Sequence, residues 1–201
     1  MRPVAEWYAR SRFTGPDWVS HHLPFWAKAT EPLRNVGCDV LEAGSYEGRS
    51  AIAFLELLPR SRIVTIDRFD MPGIEERCAA NLASYGDRVT QLKGRAVSHM
   101  DALFGDGRQF EVIYLDAGKM REGTFAQAGL AWGLLRTGGV LIFDDLVWGE
   151  GKPDRERPGQ AIQLFAAAFR PAIQQLPSSR MQLIVRKTAD WPIHRPQPKP
   201  A

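Results

Sequence analysis

Residues 40–50 read VLEAGSYEGRS, and the reading of this stretch decides the fold. Apolar Val36, Val40 and Leu41 lead into an acid, Glu42, followed by Gly44 and Gly48. A helix is predicted to begin near Ser50, with Ala51, Ile52, Ala53, Phe54 and Leu55 as its first turns. Strand, glycine turn and helix in that order make the nucleotide cradle of doubly wound α/β proteins. The glycines let the backbone turn sharply and let a ligand approach the amides closely. The helix start adds unpaired N–H groups facing the same place. The spacing is not G-x-G-x-x-G, the dinucleotide fingerprint. It is E-x-G-x-x-x-G-x-S, with an acid where a diphosphate would be repelled.

Outward from this turn, strands and helices alternate. Pro59 closes the first helix, and the β-branched run 61–66 (SRIVTI) reads as a buried parallel strand ending at Asp67. Arg68, Phe69 and Asp70 follow in a loop, where Phe69 suits either stacking on a base or the core. Helical spacing of Ile74, Cys78, Leu82 and Tyr85 predicts a helix over 73–85. A third strand at 89–92 leads to Gly94, Arg95 and Ala96 and a helix at 97–104. The fourth strand, 110–115 (FEVIYL), ends at Asp116, and a helix spans 121–135. Thr137-Gly138-Gly139 stops that helix, and the fifth strand, 140–143 (VLIF), runs into Asp144 and Asp145. A polar, glycine-rich loop covers 148–158, a helix follows at 160–169, and 172–176 with 181–187 form a hairpin. The expectation is a doubly wound, Rossmann-like, mostly parallel sheet with helices on both faces and an antiparallel last strand.

The ends of the chain are of a different character. Residues 1–35 form an aromatic N-terminal segment, with Trp7, Tyr8, Phe13, Trp18, Phe25 and Trp26, that packs on the sheet or lids a site. Asp17 is placed to cap a helix start, and His21-His22 reads as surface. Residues 1–187 read as one domain and 188–201 as a proline-rich tail, disordered or draped on the surface.

With 201 residues, 44% hydrophobic and 24% charged, the chain has the composition of an ordinary globular domain. A net charge of +3 is too small to argue for nucleic acid. Two cysteines, Cys38 and Cys78, are too few for a disulfide framework or a zinc site and read as buried thiols. No apolar run has the length of a membrane span, and the charged start lacks a signal-peptide core, so the chain is expected in the cytoplasm.

Four strands therefore end in carboxylates: Glu42, Asp67, Asp116 and Asp144. In an open parallel sheet the carboxyl ends of the strands line one crevice. Asp67, at the tip of the second strand, is placed to take both hydroxyls of a ribose, and Gly94 allows a close approach to a base. A ligand with an ammonium, a ribose and no phosphate suits such a crevice. S-adenosylmethionine is one.

On these residues the chain resembles class I S-adenosylmethionine-dependent methyltransferases over about 13–187. Within them it resembles small bacterial O-methyltransferases related to catechol O-methyltransferase and to macrocin-type sugar O-methyltransferases. EAGSYEGRS fits their E-x-G-x-Y-x-G-x-S form, and LLRTGGVLIFDD fits their helix-end and fifth-strand motif. The resemblance implies that Glu42, Gly44, Ser45, Tyr46, Gly48 and Ser50 hold the methionine end. Asp67, with Arg68 beside it, would hold the ribose. Gly94, Arg95 and Ala96 would border the adenine, and Asp116 would lie at the reacting end.

The resemblance also implies Mg²⁺ on Asp116, Asp144 and Asp145, a hard-oxygen set of the kind Mg²⁺ takes. It makes Lys119, three places after Asp116, the base. A lysine base needs its pKa lowered from about 10.4. The implied activity is methyl transfer to a hydroxyl of a small molecule; the oligomeric state is left open, with a homodimer as one option. An RNA or protein methyltransferase is the alternative, but Asp116-Ala117-Gly118-Lys119 lacks the proline and aromatic residues of nucleobase-amino methylation. A non-catalytic cofactor-binding domain of the same fold is another alternative. A nicotinamide dehydrogenase is disfavoured by Glu42 and the missing third glycine.

Overall fold

The computed structural model describes residues 3–190. Its sheet runs in the order β3-β2-β1-β4-β5-β7-β6, from β1 (Cys38–Ala43), β2 (Ser61–Asp67), β3 (Val89–Lys93), β4 (Phe110–Leu115), β5 (Leu135–Phe143), β6 (Ile173–Leu176) and β7 (Leu183–Lys187). The first five strands are parallel; β7 is antiparallel to both β5 and β6. The chain leaves β1 toward β2 on one side, and β4 returns on the other. The switch in winding direction therefore falls between the tips of β1 and β4, where such sheets bind ligands.

Alternation along each strand feeds two apolar layers. Val40, Ile63, Val112 and Val140 face one side with Trp26, Ile52, Phe54 and Leu55. That side is covered by α1 (Val4–Trp7), α2 (Leu23–Thr30), α3 (Arg49–Leu57) and α4 (Ile74–Leu82). Leu41, Ile113, Leu141 and Phe143 face the other with Met100, Trp132, Ile162 and Phe165. There the cover is α5 (Ala96–Gly105), α6 (Arg121–Leu134) and α7 (Pro158–Ala168). Both cysteines are buried thiols. No helix of the described residues is long and apolar enough to cross a membrane.

Several boundaries differ from the sequence reading. Val36 is 48% exposed and lies before β1, which starts at Cys38. The helix expected over 73–85 ends at Leu82 and passes into a tighter turn interrupted by Gly86 at φ 54°. The largest shift is at β5. Thr137-Gly138-Gly139 does not stop a helix; α6 ends at Leu134, and Leu135 already pairs with Phe110. Residues 136–139 bulge before the ladder resumes at Val112 and Val140. The buried ammonium of Lys187 donates to the carbonyls of Trp132 and Leu135 at 3.1 and 2.9 Å, which satisfies the helix end earlier than the glycines would. His22 is buried, against the surface reading, and stacks on Trp26 at 6.2 Å. The tail expected over 188–201 lies, from residue 191, outside the described residues.

Candidate active site

A cavity of 580 Å³ opens at the tips of the parallel strands. Gly44, Tyr46, Asp67, Arg68, Gly94, Arg95, Ala96 and Asp116, all predicted site residues, lie in its wall. Apolar side chains share the wall: Met71 and Met120, at 57% and 48% exposure, with the buried Phe69 and Ile74 and with Val97. A second cavity of 50 Å³ lies between the glycine turn and the N-terminal segment, lined by Ser45, Ser50, Phe13, Trp18 and Tyr114. Gly44, Tyr46 and Asp116 border both. The two spaces adjoin at these three residues, and Asp116 marks the elbow between them. Gly48 lies outside both: it caps α3 at φ 83° and packs against Leu82 and Cys78.

The backbone is held out of its ordinary range where strands meet this volume. Among the described residues, three non-glycine residues have positive φ: Tyr46 at 49°, Phe69 at 51° and Asp145 at 64°. They follow β1, β2 and β5, and strain of this kind persists only where neighbours impose it. Asp67 is the neighbour for two of them. Its carboxylate accepts from the Tyr46 and Phe69 amides, each at 2.8 Å.

Glu42 lies under the turn and is fully buried. Its Oε2 accepts from the Thr65 hydroxyl at 2.5 Å, while Oε1 has no hydrogen-bond partner among the described residues. Burial pushes its carboxyl up to about 7, against the pull of the Ser50, Thr65 and Ser45 hydroxyls. A buried, unsatisfied carboxyl oxygen is costly unless a ligand completes it. Folded Glu42 keeps its proton up to about 7, whereas the unfolded chain loses it near 4.5. Stability of the free protein should therefore fall as pH rises through that window, by on the order of 3 kcal/mol. A cation bound beside Glu42 reverses the preference and expels the proton. Ligand binding at pH 6.5 should then release a proton, read as a dependence of calorimetric heat on buffer ionisation enthalpy, and Glu42→Gln should abolish that dependence.

At the elbow the acids already have partners. The Lys119 ammonium donates to Asp116 Oδ1 at 2.7 Å and also bonds Asp145 Oδ2. The Tyr114 hydroxyl donates to Asp144 Oδ2 at 2.5 Å and reaches Asp116 Oδ2 at 3.4 Å. Gln182 Nε2 gives Asp144 Oδ2 a further bond of 3.0 Å, and the Asp145 amide closes on Asp144 Oδ1 at 2.8 Å. Among the described residues no group of His, Cys, Asp or Glu is arranged to hold a metal ion. The set Asp116, Asp144 and Asp145 thus does not fit Mg²⁺ as it stands.

Burial pushes the Asp116 carboxyl well above the carboxylate range; Lys119 pulls it back, and Asp144 and Asp145 add to the rise. Burial would lower Lys119, but Asp116 and then Asp145 outweigh it, and its pKa is raised. An ammonium so held keeps its proton, whereas the base role implied by the resemblance needs the opposite shift.

Residues 41–146 match the family model described as a methyltransferase domain. The chain belongs to this methyltransferase family. Among the solved structures that share its fold are the following three. The O-methyltransferase TomG from Streptomyces achromogenes, in complex with SAM, is 24% identical with a TM-score of 0.66, over 92% of this chain and 88% of that one. The O-methyltransferase from Bacillus cereus in complex with SAH is 20% identical with a TM-score of 0.66, over 92% and 89%. MycE from the mycinamycin biosynthetic pathway, in complex with Mg and SAH, is 18% identical with a TM-score of 0.66; 92% of this chain matches 54% of it. Among curated proteins none matches the sequence.

In this methyltransferase the N-terminal segment is tied down by residues that sequence reasoning missed. Glu47, buried inside the glycine turn, accepts from the Thr14 and Gly15 amides, the Thr14 hydroxyl and Arg77. Asn81 exchanges bonds with the backbone of Arg12 at 2.8 and 3.0 Å. Arg49 lies over the Phe13 ring at 3.9 Å and pairs with Asp17, whose carboxylate accepts from the Val19 and Ser20 amides; the helical turn that follows starts at Ser20, with Val19 and not Asp17 at its cap position. Glu47 stands at an unspecified position of the E-x-G-x-Y-x-G-x-S form, and only its place next to Gly48 could have flagged it. Tyr114 and Gln182 carried no signal, because a tyrosine in a strand and a glutamine before one read as ordinary sheet residues.

Proposed function

We propose that this methyltransferase moves the sulfonium methyl of S-adenosylmethionine to a hydroxyl oxygen of a small molecule. The observation that carries the reading is the cavity at the strand tips, with Asp67 and Asp116 in its wall, beside the glycine turn under which Glu42 lies buried. The residues present fit the cofactor. The partnerless Glu42 Oε1 suits its ammonium, Asp67 has capacity for a ribose diol beyond its two amide bonds, and Met71, Ile74 and Met120 offer an apolar slot for adenine. Ser45, Tyr46 and Ser50 are placed for the methionine carboxylate, with Gly48 setting the helix start behind them. Arg68 pairs with Asp70 at 2.7 Å and borders the ribose side, and Gly94, Arg95 and Ala96 border the adenine side.

Bound there, S-adenosylmethionine supplies an electrophilic methyl on a positive sulfur. The chain's task is to aim an oxygen at that methyl and take its proton. Asp116 is the acceptor of that proton in this reading. The O–CH₃ bond forms as the S–CH₃ bond breaks, and neutral S-adenosylhomocysteine leaves. Magnesium is given no step, since the acids expected to hold it are engaged as described. The same reading sets the activity in the cytoplasm, without nucleic acid or membrane, and allows for a homodimer.

Calorimetry with S-adenosylmethionine and S-adenosylhomocysteine, followed by labelled-methyl transfer to a panel of phenols and sugars, tests the reading. Binding of both with label in an ether product is expected. No binding of either at about 1 mM would overturn it.

A further inference from the structure

We infer that Lys119 is a built-in cation, its ammonium standing where the resemblance places a divalent metal, so that methyl transfer proceeds without one. The inference rests on the methyltransferase reading above and goes beyond it.

The argument is geometric. Asp116, Asp144 and Asp145 offer six carboxylate oxygens, and four accept from donors of the chain itself: Lys119 on Asp116 Oδ1 and Asp145 Oδ2, Tyr114 and Gln182 on Asp144 Oδ2, and the Asp145 amide on Asp144 Oδ1. The Tyr114 oxygen also stands 3.4 Å from Asp116 Oδ2, but its one proton goes to Asp144. Mg²⁺ needs bare oxygens at about 2.0–2.1 Å in near-octahedral array. To enter here it would have to expel an ammonium, turn away a tyrosine hydroxyl fixed in β4, and break the Gln182 bond. Those donors are not free to leave. Tyr114 is buried between Trp26 and Phe54, at 5.0 and 5.7 Å. The Gln182 side chain is held at its other end, where Oε1 accepts from Trp26 Nε1 at 2.8 Å. A dication at the centre of the trio would also sit against the positive Lys119, at a separation where like charges repel strongly in a partly dry site.

An ammonium has three N–H donors. Two are spent on Asp116 and Asp145, which leaves one for an acceptor oxygen. The Lys119 side chain is 37% exposed beside the elbow, and the Trp148 ring lies 6.0 Å from its nitrogen. A substrate hydroxyl reaching Lys119 donates its proton to Asp116 Oδ2, the oxygen of that carboxylate which no chain donor holds, and presents a developing negative oxygen to the ammonium. Fixed positive charge aimed at developing negative charge is what a metal supplies in such chemistry. Lys119 holds its own proton throughout. The acceptor oxygen gains the methyl, and the sulfonium leaves as neutral thioether.

The test uses Mn²⁺ as the probe, followed by electron paramagnetic resonance. Wild type, Lys119→Ala and Lys119→Met are stripped with chelator, saturated with S-adenosylhomocysteine and titrated. Wild type is expected to show no saturable binding up to about 1 mM. The Lys119 variants should gain one site at least about tenfold tighter, and adding Asp145→Asn to Lys119→Ala should remove it. Saturable Mn²⁺ binding by wild type that Asp145→Asn removes would overturn the inference. So would variants that bind Mn²⁺ no more tightly than wild type. The wild-type arm decides even if both variants fail to fold. Calorimetry of S-adenosylhomocysteine on the same samples separates the two readings: its failure to bind defeats the methyltransferase site, whereas its binding alongside wild-type Mn²⁺ binding defeats the cation role alone.

Discussion

Gly44→Ala should unfold at a temperature about 10 °C below wild type and lose measurable S-adenosylmethionine binding. Gly44 sits at φ 97°, and a Cβ there would come within 2.6 Å of the Asp116 carbonyl oxygen, 2.7 Å of its carbon and 3.0 Å of the Ala117 nitrogen. All three are backbone atoms, so no rotamer relieves the contact. The tips of β1 and β4 would have to part, and they are joined there by the Asp116 amide donating to the Ala43 carbonyl at 2.8 Å. Backbone strain and overpacking together cost about 3 kcal/mol or more. Gly73→Ala is the internal control. Gly73 also has positive φ, at 76°, but nothing lies within 4 Å of its would-be Cβ, so it should lose only about 1 kcal/mol. Thermal melts with and without ligand read both terms. A Gly44→Ala protein with the melting point and affinity of wild type would remove the glycine turn from the centre of the site.

Asp67→Ala carries the next largest expected effect. Losing a charged acceptor of two ribose hydroxyls should weaken S-adenosylmethionine binding by about 100-fold or more. The variant should also be less stable, which the sequence alone does not suggest. Asp67 ties down the amides of Tyr46 and Phe69, two of the strained residues, and their release leaves two unsatisfied N–H groups, about 1–3 kcal/mol each where they are buried. Asp67→Asn keeps one acceptor oxygen and should fall between. Calorimetry with circular dichroism separates the two contributions. Full affinity in Asp67→Ala would take the ribose away from this carboxylate.

Much of the frame was legible beforehand. The order of strands and helices followed from apolar periodicity, and the crevice followed from acids recurring after strands. Both are local signals, because a strand buried on both faces must be apolar along its length and must end where a polar residue meets solvent. Boundaries failed where a distant residue intervened. The end of α6 is satisfied by Lys187, more than fifty positions away, and no local signal at Thr137-Gly138-Gly139 announces it. His22 read as surface for want of any sign that Trp26 would stack on it.

The chemistry of the site divides in the same way. The sequence by itself determined that Glu42, Asp67, Asp116 and Asp144 gather at one edge, since parallel strands joined by right-handed crossovers bring all their carboxyl ends to one side. Only the tertiary structure decided what each acid faces. One oxygen of Glu42 accepts from Thr65 while the other has no hydrogen-bond partner among the described residues, and Asp116, Asp144 and Asp145 close on an ammonium, a tyrosine and a glutamine. Spacing along a chain places a carboxylate. Its charge and its partner depend on distances through space, between residues up to 38 positions apart, that are set only when the sheet is assembled.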